Sequence, residues 1–163
     1  MGAKRKQKDF LFVYGTLRKA AAHRVHDVLA RYSEPVSKAM LKAKLYDLGQ
    51  YPGAILSQNP EDVVTGELYA LDPKHSREAL AALDEYEGIT EGTTPEYRRE
   101  KHVVTLEDGR QLRAWVYLYC RNPRGAEYIA SGDYLAYRKS RRAGGDRDHA
   151  RNGHKKKAVQ EHT

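Results

Sequence analysis

Apolar residues along this chain recur with two periods, one of two residues and one near 3.6, and the switches between them mark its elements. Phe10–Tyr14 puts Phe10, Phe12 and Tyr14 on one face and Leu11 and Val13 on the other, which predicts a strand covered on both sides. His23–Tyr32 places Val25, Val28 and Leu29 at helical spacing and predicts a helix, ended by Pro35. The segment AMLKAKLYDLG alternates apolar and basic residues and reads as a strand. After the turn GQYPG come a short strand at Ala54–Leu56 and a longer one at Val63–Leu71. The stretch from Asp72 to Glu87 predicts the clearest helix, with Asp72 as N-cap, Pro73 at the first helical position and Gly88 just past the end. Tyr97–Leu106 and Gln111–Cys120 follow as two strands joined across EDGR, and YIASGDYL reads as a short closing element. Five or six strands with two principal helices, mixed rather than alternating, predict an α+β fold.

Charge changes where the domain is drawn. The 163 residues suit one domain, and the net charge of +7 first suggests a polyanion partner. Residues 138–163, however, hold nine Lys/Arg against three Asp/Glu, and residues 1–9 hold four against one. The remaining 16 basic and 18 acidic residues leave 10–137 near neutral. The expected division is a basic disordered N-terminus at 1–9, a domain at 10–137 and a basic disordered tail at 138–163. That tail is almost without apolar residues and has no aromatic to stack on a base, so it predicts nonspecific polyanion attraction at most. One cysteine, Cys120, excludes a disulfide within the chain and is expected as a core residue of its strand. No stretch approaches a membrane span, and the apolar run after the charged start is too short for a signal peptide. The expectation is a cytoplasmic protein with no membrane partner.

Candidate chemistry is sparse. There is no phosphate-binding P-loop, no dinucleotide fingerprint and no nucleophile elbow. His23 and His26 lie three apart without a third ligand at a recognisable spacing, and His149 and His154 lie in the tail, so no metal site is expected. Glu87 stands out because the helix stripe runs Leu80, Leu83, Glu87, which puts a carboxyl on the core-facing side in the last turn. There both burial and the helix dipole would raise its pKa toward the range of a general acid–base. A side chain in water at a frayed helix end fits the same pattern. The Tyr14–Leu17 turn, where a strand runs straight to glycine, fits either a plain turn or a row of bare amides that holds an anion. In AWVYLYC, Trp115, Tyr117 and Tyr119 share a face that either packs or lends hydroxyls to a site.

In order and spacing, VYGTL, LYDLGQYPGAI, GELYAL, LDEYEG and SGDYL resemble the gamma-glutamylcyclotransferase-like family over about residues 10–137. The resemblance implies a compact mixed β-barrel-like sheet with flanking helices and no cofactor. It implies that Tyr14, Gly15, Thr16 and Leu17 form a loop whose backbone holds a substrate carboxylate, and that Glu87 moves protons. Tyr117 and Tyr119 join them as candidate substrate-binding residues. The implied reaction closes a small γ-glutamyl amine or amino acid to 5-oxoproline and frees the amine, with the substrate's own α-amine as nucleophile. A non-catalytic module that binds a small carboxylate on the same fold is the alternative.

Overall fold

The computed structural model describes residues 8–15, 23–49, 51–89 and 95–144. Seven strands and three helices follow one another as β1 (Phe10–Val13), α1 (His23–Tyr32), β2 (Ser33–Asp47), β3 (Pro52–Leu56), β4 (Val63–Leu71), α2 (Ser76–Tyr86), β5 (Tyr97–Leu106), β6 (Gln111–Tyr119), β7 (Glu127–Tyr128) and α3 (Tyr134–Gly144). The strands β2, β4, β1, β6 and β5 form a ring, closed where Ala39 of β2 meets Leu106 of β5. β1 runs parallel to β6 and antiparallel to β4, so the sheet is mixed. The far half of β2 extends past the ring and carries both β3 and β7. The fold is α+β with a barrel-like sheet, as the sequence predicted.

Alternation along the strands creates two cores. Phe12, Tyr14, Leu41, Leu45, Leu68 and Val116 pack with their neighbours inside the barrel. Leu11, Val13, Leu71 and Tyr117 face outward and pack with Leu29 of α1 and Ala79, Leu80 and Leu83 of α2. β1 belongs to both cores, which is why both of its faces are apolar.

Several boundaries differ from expectation. β2 starts at Ser33, well ahead of AMLKAKLYDLG, because β4 pairs with it from Leu71 back through a bulge between Pro35 and Ser37. Asp72 does not cap α2. It closes the preceding turn, accepting from the Lys74 N–H at 3.0 Å and pairing with His75 Nδ1 at 3.0 Å, and α2 begins at Ser76. Cys120 is exposed and lies just past the end of β6 instead of in the core. The closing element is β7 followed by a full helix, and α3 runs to Gly144, so the stretch 138–144 of the expected disordered tail is helical. Residues 145–163, most of the expected N-terminal arm, and His149 and His154 lie outside the described residues.

Candidate active site

Glu87 is positioned by the way α2 ends. It is the C-cap residue, with its own N–H bonded to the Leu83 carbonyl at 2.9 Å. Gly88 follows at φ +81, a left-handed conformation that glycine adopts without a Cβ penalty. The Gly88 N–H reaches the Glu85 carbonyl at 3.0 Å and the Ile89 N–H reaches the Asp84 carbonyl at 2.8 Å, the paired bonds of a Schellman motif. Ile89 then packs into the outer core, so the helix end is locked and not frayed. Of the two readings open for Glu87 in the sequence, this geometry excludes the frayed one.

Around Glu87 stand Tyr14 from the end of β1, Tyr51 ahead of β3, Tyr97 at the start of β5 and Tyr117 in β6, each within its electrostatic reach. Burial first, then the carboxylates of Glu96 and Asp84, push the Glu87 carboxyl up to about 8. The residue as a whole is half-buried, and burial of the carboxyl is the largest cause of that shift. Burial also drives the Tyr14, Tyr51, Tyr97 and Tyr117 phenols upward, which keeps all four as O–H groups at neutral pH.

Those four O–H groups are committed. Tyr14 donates to the Tyr117 carbonyl at 2.5 Å, and its oxygen accepts from the Ala54 N–H at 3.1 Å. Tyr97 donates to the Pro52 carbonyl at 2.7 Å, Tyr51 to Glu96 Oε1 at 2.9 Å and Tyr117 to Asp84 Oδ1 at 2.6 Å. Tyr119 stacks edge-on against Tyr97 with centroids 5.8 Å apart. Tyr117, a candidate for substrate contact, donates its hydroxyl proton to Asp84, a carboxylate of the scaffold.

Gly15 sits at the tip of β1 against Pro52, and a Cβ there would lie 2.4 Å from the proline Cγ. Glycine is needed at this point because a ring occupies the space, and its φ is not positive. Thr16 and Leu17, the other half of the candidate anion loop, lie outside the described residues. The structure thus brings Tyr14, Gly15 and Glu87 to one side of the barrel, with Tyr117 and Tyr119 in the adjoining wall. Among the described residues no group of His, Cys, Asp or Glu converges as a metal site would.

The pattern of the family described as Gamma-glutamyl cyclotransferase, AIG2-like matches residues 11–136. This chain belongs to that family. Escherichia coli YtfP, a gamma-glutamylcyclotransferase family protein, is 34% identical over 125 residues, which cover 77% of this chain and 95% of YtfP. A Methanocaldococcus jannaschii protein, provisionally named a gamma-glutamylcyclotransferase, is 29% identical over 130 residues, 80% of this chain and 98% of the relative. Among solved structures, YtfP superimposes with a TM-score of 0.55 at 31% identity, covering 79% of this chain and 98% of that one. Bacillus subtilis YkqA gives 0.63 at 25% identity over 84% of this chain, but this chain spans only 43% of YkqA.

Tyr51, Tyr97, Glu96, Asp84 and Arg99 belong to the same wall and were not singled out from the sequence. For Tyr97 and Arg99 the hairpin register held the signal. Pairing outward from EDGR sets Lys101 beside Trp115, Arg99 beside Tyr117 and Tyr97 beside Tyr119, so the tyrosine face of β6 carries these β5 residues with it.

Proposed function

We propose that this chain is a gamma-glutamyl cyclotransferase that closes a small γ-glutamyl amine or amino acid to 5-oxoproline, with Glu87 as general acid and base. The substrate's α-amine attacks its own γ-carbonyl carbon, a C–N bond forms, and Glu87 takes a proton from that nitrogen. Glu87 then returns a proton to the leaving nitrogen as the original amide bond breaks, which yields 5-oxoproline and a free amine. Ring closure by an attached, oriented nucleophile supplies a large part of the rate advantage, so the reaction asks for no nucleophilic side chain.

The observation that carries this reading is the locked C-cap of α2, which sets Glu87 beside Tyr14 at the end of β1, where burial pushes its carboxyl up to about 8. A carboxyl near 8 is a far stronger base than a solvated one, so taking a proton from the attacking nitrogen costs less. An ordinary glutamate, titrating at 4.5, would be a poor base toward that nitrogen. The committed tyrosine hydroxyls support a second element of the proposal. With their protons engaged in the scaffold, the developing oxyanion and the substrate carboxylate fall to backbone N–H groups of the Tyr14–Leu17 loop and to Tyr119.

Glu87→Gln removes the carboxylate with little change of shape. It is expected to lower 5-oxoproline release from γ-glutamyl substrates by about 10²–10⁴-fold while 5-oxoproline still binds. Equal release by the variant would remove Glu87 from the chemistry. Binding of 5-oxoproline by the unaltered protein, with no turnover across a panel of γ-glutamyl compounds, would favour the small-carboxylate binding module instead.

A further inference from the structure

One turn before Glu87, the Asp84 side chain of α2 is held by two residues of the β5–β6 hairpin. Arg99 of β5 grips its carboxylate with both arms, Nε to Oδ1 at 2.7 Å and Nη2 to Oδ2 at 3.0 Å. Tyr117 of β6 donates to Oδ1 at 2.6 Å, and the Asp84 carbonyl takes the Ile89 N–H that ends the helix. Arg99 and Tyr117 are cross-strand partners, so the hairpin presents both donors side by side. The guanidinium itself lies over Trp115, 4.2 Å from the ring centre. Lys101 lies 5.0 Å over the same ring and is paired with Asp9 at 3.5 Å. A two-armed arginine pair fixes orientation as well as distance, so this carboxylate cannot swing out toward solvent.

Asp84 lies three residues before Glu87 on the same helix, and its charge acts on Glu87. We propose that Asp84 is a positioning residue that acts through Glu87, its clamped carboxylate governing how Glu87 gives up and takes back a proton. This rests on the reading of Glu87 as the proton carrier, although its test does not require turnover. The groups that face Glu87 are Asp84 from its own helix, Glu96 ahead of β5, Tyr14 of β1, Tyr51 ahead of β3, Tyr97 of β5 and Tyr117 of β6. Glu96 is balanced by Arg121 at 3.8 Å and Asp84 by Arg99. The net field at Glu87 therefore depends on whether Asp84 and Arg99 are both charged.

The test is the titration of the Glu87 carboxyl by carbon NMR, its signal identified by its loss in Glu87→Gln, in Asp84→Asn and Arg99→Gln proteins. Asp84→Asn removes a carboxylate and leaves a guanidinium uncompensated, so the Glu87 midpoint should fall by about one pH unit. Arg99→Gln leaves Asp84 unbalanced, so the midpoint should rise. A helix end that had merely loosened would hydrate Glu87 and lower the midpoint in both variants. Opposite shifts support the proposal, and two downward shifts or none overturn it. Should Asp84→Asn fail to fold, Arg99→Lys decides against Arg99→Gln. Lysine keeps the charge and should hold the midpoint at its wild-type value, and a shift equal to that of glutamine would end the idea. If the protein turns over a γ-glutamyl compound, kcat should fall in Asp84→Asn with KM nearly unchanged. If it turns over none, the function proposed above fails, while the titration still decides the link between Asp84 and Glu87.

Discussion

Glu87 joins the ordinary logic of burial to a measurable cost. Its carboxyl titrates near 4.5 in the unfolded chain and about 8 in the folded one. Between those values the unfolded state binds fewer protons, so this residue's share of stability is complete below 4.5 and is lost as pH rises to 8. Glu87→Gln should therefore be the more stable protein at pH 9, with the difference fading toward pH 5. The gain has a ceiling of a few kcal/mol, about 1.4 for each pH unit between the two midpoints. Urea midpoints at the two pH values check this, and parallel profiles for the two proteins would contradict it. This residue was legible in the sequence from the Leu80–Leu83–Glu87 spacing and from Gly88 behind it. Its neighbours Tyr51 and Glu96 were not, because loop conformation, which is no local pattern, brings them together.

At the scale of elements, the junction of β1 with β3 shapes the site. Pro52 fills the space beside Gly15; the Tyr97 hydroxyl holds its carbonyl, and the Tyr14 oxygen accepts from the Ala54 N–H two residues on. With the backbone of β3 anchored at both residues, the ring has little room to retreat from a new methyl group. Gly15→Ala is therefore expected to destabilise the protein by about 1–3 kcal/mol, read as a lower denaturation midpoint. An unchanged midpoint would mean that Pro52 yields freely. The boundaries of β4 and β5 followed from alternation alone, and β1 and β6 each differ from expectation by one terminal residue. The first part of β2 has no such alternation in SEPVSK, and only pairing with β4 makes it a strand. Likewise Asp72-Pro73 carries every mark of a helix start, yet His75 draws the Asp72 carboxylate into a turn and delays α2 to Ser76.

For the whole molecule, the barrel is completed by a helix that composition concealed. Tyr134 is only 2% exposed and packs into the inner core, while Tyr137 donates to Asp47 at 2.7 Å on the far end of β2. Arg138 lies over the Tyr134 ring and Arg141 over the Tyr137 ring, so the basic residues that suggested disorder cover the aromatic face of α3. The spacing Tyr134, Tyr137, Arg141 is that of one helix face, but the charge run around it has the composition of a solvated tail. Tyr134→Ala should cost about 3–5 kcal/mol. Thermal denaturation beside the unaltered protein tests this, and an unchanged midpoint would contradict it. No described helix is long and apolar enough to cross a membrane.

The locked phenols around Glu87 carry one more consequence, for isotope behaviour. With each of those hydrogens held by a carbonyl or a carboxylate, a relay through the ring wall would have to break the scaffold to run. Turnover should then involve a single hydron in flight, and rate plotted against the deuterium fraction of the solvent should be a straight line. A bowed plot would reveal a second hydron moving in concert, and with it a wall far less rigid than its bonding suggests.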